Sequence, residues 1–210
     1  MFGDRLTSEP YIFDFSSVNP EVASYDPTDF SAFQSQVFDE IHSHDKQWGI
    51  GRYKEERRVL LRDYDMMTKE KRWHHMWLDV IVPSSSQIFC PLDAHVFSCW
   101  REDEKGSYGG YIILQHDIFG WKFYSLYGHL STPHRVSQWD KIMRGQCFAQ
   151  VWEKTDSWGW FTHVHVQILT QKAIDEGRML QWYVSQNDLI DCEEYFPDPQ
   201  HMFRWIGTER

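Results

Sequence analysis

Several histidines of the chain stand at spacings that suit a metal site. His163 and His165 are two residues apart in an apolar stretch. In a β-strand, residues i and i+2 project from the same face, so these two imidazoles would point the same way. His75 stands four residues before Asp79, and imidazole nitrogen and carboxylate oxygen are both ligands that Zn²⁺ accepts. His74 lacks the four-residue spacing to Asp79 and is the weaker candidate of the two neighbours.

His129 is a further candidate, at the end of an aromatic stretch and directly after Gly128. Two histidines and one aspartate can hold a metal ion and leave its fourth position open for water, as in catalytic zinc sites. Further histidines would then remain beside that water. Such a set is what metal-assisted hydrolysis requires. Only one histidine of the His163/His165 pair need bind the metal, and the spacing leaves open which one.

Each of these signals, taken alone, has a plainer structural explanation. A single histidine in a strand is more often packed or exposed than bound to a metal. The four cysteines lie far apart without a C-x-x-C pair, which indicates reduced thiols and neither a thiolate zinc site nor a disulfide framework. The prediction of a metal site therefore depends on the combination of histidines and aspartate.

The elements that would position these residues are mostly strands. From about residue 77 onward, short apolar runs rich in β-branched and aromatic residues alternate with turn residues, which is typical of an all-β domain. The predicted strands are residues 78–82, 94–100, 110–115, 122–127, 147–152 and 164–169.

The two ends of the chain have a helical pattern. Phe33, Val37 and Ile41 belong to an apolar stripe at helical spacing, which predicts a helix over residues 29–45 that packs on the β domain. A helical tail is predicted over about residues 173–191. The fold class is therefore mainly β, with a helical N-terminal extension and a short helical C-terminal tail. We expect an N-terminal arm and helix over residues 1–55, and a β-rich domain that carries the candidate metal site and the helical tail over residues 56–210.

Net charge, the length of the apolar runs and the N-terminal residues limit the partners and compartments that we expect. With 21 Lys and Arg against 31 Asp and Glu, the chain carries a net charge of −10, so a nucleic acid or an anionic membrane is a poor partner. No apolar run approaches the roughly 18 residues that span a bilayer. The first ten residues include three charges and no signal-peptide core. We therefore expect a cytoplasmic protein, or a periplasmic or extracellular one if export is non-classical.

Six segments, in their order along the chain, resemble the lysostaphin or LytM type of zinc metallo-endopeptidase, which hydrolyses peptidoglycan. RWHHMWLD at 72–79 is similar to the family's H-x-G-x-D motif, and HVHVQ at 163–167 is similar to its H-x-H motif. The other segments are CPLDAHV at 90–96, YGGYIILQH at 108–116, YSLYGHLS at 124–131 and RGQ at 144–146.

The resemblance implies a role for each candidate residue. His75, Asp79 and His165 would bind one Zn²⁺. His163 would act as a base or orient the water, and His129 would stabilise the oxyanion or help to activate the water. The implied fold is an antiparallel β-sandwich of the duplicated hybrid motif type, and the implied substrate is a peptide or muropeptide, cut in a peptidoglycan-type cross-link or stem peptide.

The chain departs from the resembled pattern at three places. Trp77 replaces the glycine between the histidine and the aspartate, Thr162 replaces the proline before the H-x-H motif, and a glycine-rich turn is replaced by residues 150–153. Strand alternation from His75 and Asp79 would place Trp77 on their face, either as an apolar wall at the rim of the groove or folded into the core.

Two other functions fit the same residues. A non-catalytic module that binds peptide or glycan could retain the groove without turnover. A cupin-like metal oxygenase or isomerase would also be an all-β protein with histidine and carboxylate ligands. The sequence does not predict an oligomeric state.

Overall fold

The structure is a computed structural model that describes residues 1–2, 6, 8–103, 107–152 and 160–203. Its α-helices are α1 (Phe30–Ser43), α2 (Asp65–Glu70), α3 (Gln171–Asp175) and α4 (Cys192–Tyr195). Its strands are β1 (Tyr11–Ile12), β2 (Gly49–Gly51), β3 (Arg72–His75), β4 (Leu78–Ile81), β5 (Gln87–Phe89), β6 (Ala94–Arg101), β7 (Gly110–Ile118), β8 (Trp121–Leu130), β9 (Lys141–Ile142), β10 (Cys147–Gln150), β11 (His163–Leu169) and β12 (Tyr183–Ser185).

Eight of these strands form one sheet in the order β1-β2-β4-β11-β8-β7-β6-β9. The pair β1 and β2 is parallel, and the other neighbours in this sheet are antiparallel. Two antiparallel ribbons accompany the sheet, one of β5 with β10 and one of β3 with β12. The strand β11 lies in the middle of the large sheet, where its seven residues are all buried.

Apolar side chains pack on both faces of the large sheet. One cluster joins the stripe of α1 to the N-terminal arm, to Phe161 just before β11 and to the segment after α3. The other cluster lies between the sheet and the β5/β10 ribbon, where Ile88 and Phe148 meet Val80 and Val164. This layered arrangement confirms the prediction of a mainly β fold with helical extensions.

The helix α1 follows its sequence pattern closely. Asp29 caps the helix by accepting a hydrogen bond from the Ala32 N–H over 3.1 Å. Phe33, Val37 and Ile41 are all fully buried. The apolar stripe therefore packs on the β-rich part of the chain, while the division at residues 55 and 56 stays a prediction.

The C-terminal tail is less regular than a helix over residues 173–191. Within that range only the end of α3 and a 3-10 turn at Asn187–Leu189 are helical, and β12 lies between them, whereas α4 begins after it. This strand pairs with β3, so its conformation depends on a partner about 110 residues earlier in the chain. All four cysteines are free. Among the described residues, no helix combines the length and the apolar character needed to cross a bilayer.

Candidate metal centre

The strand β11 brings the predicted site residues together because it pairs with a different strand on each side. His165 lies opposite Asp79 of β4 and opposite Gly128 of β8. His163 lies two residues earlier on the same strand, and the two imidazole centroids are 4.6 Å apart. The ring of His129 lies 4.3 Å from that of His165. Three strands therefore supply four of the five predicted residues to one point.

His75 reaches the same point from a different strand pair. The predicted strand over residues 78–82 is present as β4, but the alternation assumed from His75 to Asp79 is interrupted, because β3 ends at His75 and β4 begins at Leu78. The chain changes partners at this break: His75 lies opposite Tyr183 of β12, whereas Asp79 lies opposite His165 of β11.

The distances around Asp79 match those expected between ligands of one metal ion. Its Oδ1 atom lies 2.8 Å from Nε2 of His165, 3.2 Å from Nε2 of His75 and 3.5 Å from Nε2 of His163. Metal bonds of 2.0–2.2 Å in a tetrahedral site place neighbouring ligand atoms about 3.4 Å apart. The structure therefore holds these groups near the required spacing.

In the part of the chain that the structure describes, two overlapping groups of side chains could hold a cation. One consists of His75, Asp79 and His165, and the other consists of His129, His163 and His165. Within each group, the ligand atoms lie within 4.8 Å of one another. The first group contains the carboxylate, so it offers the charge that a divalent cation needs.

Backbone carbonyls set the tautomers of two of these rings. Nδ1 of His75 lies 2.9 Å from the carbonyl oxygen of Arg52, and Nδ1 of His163 lies 2.6 Å from that of Phe161. A carbonyl oxygen only accepts hydrogen bonds, so each Nδ1 must carry the proton. Nε2 of each ring therefore directs its lone pair into the cluster, as a metal ligand or a base requires.

Several ring nitrogens of the cluster are buried without a hydrogen-bond partner in the described part of the chain. They are Nε2 of His75, Nε2 of His163, Nδ1 of His129 and Nδ1 of His165. Buried polar atoms are nearly always paired, so a group of such atoms around one point is the mark of a site that takes a ligand.

Burial keeps the imidazoles of the cluster neutral at neutral pH. Desolvation, together with the nearby Arg57 charge, lowers the pKa of His75 to about 4. Burial alone would raise the pKa of Asp79, but its electrostatic interactions with His75 and Arg57 outweigh this effect and hold that pKa well below its usual range. Neutral imidazoles and an ionised carboxylate are the protonation states that bind a metal.

His129 enters the cluster through an irregularity in β8. Gly128 and His129 both stand opposite Tyr111 of β7, because the register shifts between Gly110 and Ile112. This is a β-bulge, and His129 has a left-handed φ of 58° there. Residues held in such a conformation cluster at functional sites. A bulge redirects a side chain, and here it directs the imidazole toward β11.

Trp77 shares the face of the ligands but is fully buried. Its ring centroid lies 4.5 Å from that of His75 and 4.4 Å from that of His165, and its other side packs on Trp182 and Tyr183. The expectation of an indole at the rim of the groove was therefore wrong, because the aromatic segment around Trp182 covers it. The alternative, a core position, describes Trp77 better.

Arg57 belongs to the site but was not among the predicted residues. Its guanidinium is fully buried and donates from Nη1 to Oδ2 of Asp79 over 2.5 Å, and from Nε to Oε2 of Glu55 over 2.9 Å. The sequence contains a weak signal for it: two opposite charges two residues apart, shortly after Gly51. Nothing local in that signal points to Asp79.

A cleft leads from His129, His163 and His165 to the surface. Its cavity volume is about 30 Å³, and its walls are largely aromatic and aliphatic. The wall residues are Leu61, Tyr64, Met67, Trp160, Trp182 and Tyr183. The cleft therefore has room for about one or two water molecules beside these histidines, while His75 and Asp79 are fully buried.

Residues 74–176, just under half of the chain, match the model of peptidase family M23. No curated protein matches the sequence at a significant level.

Three solved structures illustrate the distant similarity. A zinc-containing peptidase from Vibrio cholerae is 19% identical, with a TM-score of 0.37, over 46% of this chain and 27% of the other. The catalytic domain of lysostaphin from Staphylococcus simulans is 18% identical, with a TM-score of 0.39, over 46% and 68% of the two chains. A putative glycyl-glycine endopeptidase, lytM, from Ruminococcus gnavus is 12% identical, with a TM-score of 0.41, over 74% and 53%.

This chain thus spans about a quarter of the length of the Vibrio cholerae peptidase. The family assignment depends on the match over residues 74–176 and not on these overall superpositions.

Proposed function

We propose that the protein is a zinc-dependent endopeptidase that hydrolyses a peptide bond in a peptidoglycan-type cross-link or stem peptide. The observation that carries this proposal is the convergence of His75, Asp79 and His165, within a family M23 segment, around buried ring nitrogens without hydrogen-bond partners among the described residues.

The residues present fit a zinc ion. The proposed ligands are Nε2 of His75, Oδ1 of Asp79 and one ring nitrogen of His165. Two neutral imidazoles and one carboxylate are a donor set typical of catalytic zinc. When bound, Zn²⁺ polarises a carbonyl and lowers the pKa of its water to about 7. Burial of the site excludes bulk water and strengthens these electrostatic effects.

His163 is the proposed base. The Phe161 carbonyl holds its proton on Nδ1, so Nε2 is free to take a proton from the attacking water. Burial lowers the pKa of His163, which keeps the ring in its proton-accepting form at neutral pH. Proton transfer by such a group contributes about 10²–10⁴-fold to a rate.

His129 is proposed to stabilise the oxyanion that forms during hydrolysis. Its ring lies 4.6 Å from that of His163 and lines the cleft, which places it beside the proposed position of the attacking water. A neutral imidazole offers one N–H, which can donate to the oxygen that becomes negative during hydrolysis.

The proposed substrate is a peptide or a muropeptide. The match of residues 74–176 to family M23 supports a peptide bond as the target. The compartment in which the protein works stays a prediction, and soluble muropeptide fragments suit a test in either compartment.

The decisive experiment combines zinc analysis with substrate digestion. Protein purified without chelator should contain about one zinc per chain, and mass spectrometry should detect new peptide termini in digested muropeptides. Activity should disappear after chelator treatment and return with added Zn²⁺. Stoichiometric zinc without any cleavage across a panel of muropeptides and cross-link peptides would overturn the proposed activity.

A non-catalytic binding module is the second candidate, and one observation favours it. Trp77, at the position of the family's glycine, donates from Nε1 to Oδ1 of Asp79 over 3.1 Å and covers two proposed ligand rings. A muropeptide that binds without being cut would support this candidate. The cupin-like alternative has no such support, since residues 74–176 match family M23.

A further inference from the structure

We infer that residues 51–57, which precede the segment matched to family M23, complete the metal centre by holding two of its three proposed ligands in place. Arg57 is a positioning residue for Asp79, and the backbone of the same segment positions His75. This inference rests on the proposed metal centre and adds to it a part of the chain outside the family match.

The first contact is between this segment and His75. The carbonyl oxygen of Arg52 lies 2.9 Å from Nδ1 of the ring. The backbone is held as well: the His75 N–H donates to the Glu55 carbonyl over 3.0 Å, and its carbonyl accepts from the Lys54 N–H over 2.7 Å. Both the position and the ring orientation of His75 thus depend on residues 52–55.

The second contact is between Arg57 and Asp79. Both side chains are fully buried, and the guanidinium donates a hydrogen bond to Oδ2 over 2.5 Å. The other oxygen, Oδ1, is the one that faces the histidines. Because a charged hydrogen bond of this kind fixes the carboxylate plane, Arg57 determines which oxygen is presented to the metal.

Glu55 offsets the positive charge of the buried Arg57, which would otherwise repel a cation at the site. Its Oε2 accepts from Arg57 Nε over 2.9 Å, so the two side chains together carry little net charge. Its Oε1 accepts from the Phe15 N–H over 2.8 Å and from Arg52 Nε over 3.1 Å. Glu55 therefore also anchors the segment to the N-terminal arm, and the guanidinium can orient Asp79 without a strong repulsion of a divalent ion.

Gly51 provides the space for this pair. It lies opposite Asp79 in the β2–β4 ladder, and a Cβ atom there would lie 2.6 Å from Arg57 Nη2 and 2.9 Å from Asp79 Oδ2. An alanine at this position must displace the guanidinium, the carboxylate or both.

Gly49 offers a matched control on the same strand. A Cβ atom at Gly49 would lie 2.8 Å from Cε2 of Phe13 and 3.1 Å from Cδ1 of Ile41. The crowding is similar, but it falls on the apolar core and not on the metal centre.

The test compares Gly51→Ala with Gly49→Ala in the full-length chain. The zinc dissociation constant is measured by competition with a chromophoric chelator, and the melting temperature is measured alongside. We expect Gly51→Ala to weaken zinc binding about 10- to 100-fold, the usual cost of disturbing the partner of a metal ligand. Gly49→Ala should lower the melting temperature and leave the zinc affinity close to that of the wild type.

Arg57→Lys provides a second variant in case Gly51→Ala does not fold. Lysine retains the buried charge but cannot contact Asp79 and Glu55 simultaneously in the fixed geometry of a guanidinium. We expect weaker zinc binding and an altered visible spectrum of the Co²⁺-substituted protein, which reports ligand geometry and not stability.

The possible outcomes separate this inference from the proposed function. The inference is overturned if Gly51→Ala and Arg57→Lys have the zinc affinity and the Co²⁺ spectrum of the wild type. That result would leave the proposed peptidase intact. Equal losses of zinc affinity in Gly51→Ala and Gly49→Ala would also overturn it. A wild type that binds zinc but cuts no peptide overturns the proposed activity only, and a wild type without zinc binding overturns both.

Discussion

Trp77 and Asp79 are joined by a hydrogen bond of 3.1 Å from the indole N–H to Oδ1, the carboxylate oxygen that faces the histidines. A carboxylate oxygen has more than one acceptor direction, so this contact can coexist with metal binding. Asp79 thus receives donors on both oxygens, Trp77 on one and Arg57 on the other. The proposed ligand is held in one orientation by two neighbours of different chemistry.

Trp77→Phe should remove the hydrogen bond and keep part of the packing of the ring. The variant loses the N–H and one of the two fused rings, so we expect the free energy of unfolding to fall by about 1.5–3 kcal/mol for the hydrogen bond to a charged group, and by about 1 kcal/mol more for the lost volume. Trp77→Gly should cost more, about 3–5 kcal/mol, because it also leaves a cavity. Urea unfolding measures both losses, and zinc content should survive in Trp77→Phe. Equal stability of the Phe variant and the wild type would show that the hydrogen bond contributes nothing.

The two histidines of β11 should respond differently to truncation. His165→Ala should lose zinc and activity together, whereas His163→Ala should retain zinc and lose most turnover. The reason is that His165 belongs to the same group as His75 and Asp79, while His163 belongs only to the other group. Elemental analysis and muropeptide digestion provide the two readouts.

His129→Ala should behave as His163→Ala does, with zinc retained and turnover reduced. His129 shares no group with Asp79, and its ring lines the cleft. If both of these variants lost zinc to the same extent as His165→Ala, the three-histidine group would be the metal site and the proposed roles would be exchanged.

Phe33→Ala should destabilise the whole β-rich part of the chain. Phe33 is fully buried, and its ring centroid lies 5.1 Å from that of Phe161, two residues before β11. The expected loss is about 3–5 kcal/mol in the free energy of unfolding, as for other buried phenylalanines. Phe38→Ala, on the same helix but half-buried, is the control and should cost less. A wild-type unfolding curve for Phe33→Ala would mean that α1 does not stabilise the sheet.

His116, which lies outside the metal centre, should make the folded state less stable at acidic pH. Burial lowers its pKa below the ordinary value of about 6.5, and Nε2 contacts Ser125 Oγ over 2.7 Å. Below that ordinary value the unfolded chain binds a proton that the native state does not, so stability falls as the pH drops through this window. In His116→Gln, which does not titrate, the stability difference between pH 7.5 and pH 5.5 should be smaller than in the wild type. An unchanged difference would mean that this residue does not couple protonation to folding.

The parts of the fold with strong local patterns could be predicted from the sequence. The stripe of α1 buries its apolar residues in register with its own periodicity, and short apolar runs form the central strands of the sheet, so local sequence is sufficient for both. The H-x-H spacing of His163 and His165 similarly places both rings on one face.

The remaining features depend on partners far along the chain. Arg57 meets Asp79 only because β2 pairs with β4 so that Gly51 lies opposite Asp79, and no local pattern specifies that register. The strand β12 forms in a segment with helical character because β3 offers it an edge. The position of Trp77 follows from a break between β3 and β4, which an assumption of continuous alternation misses.

The central place of β11 has a consequence for synthesis of the protein. A nascent chain that ends before His163 has already made β4 and β8, and both lack the neighbour that will pair with them. Two unpaired strand edges beside exposed apolar faces are a template for aggregation. Chains truncated before residue 163 should therefore be insoluble or bound by chaperones, and the strand that carries two of the histidines is also the one that closes the sheet.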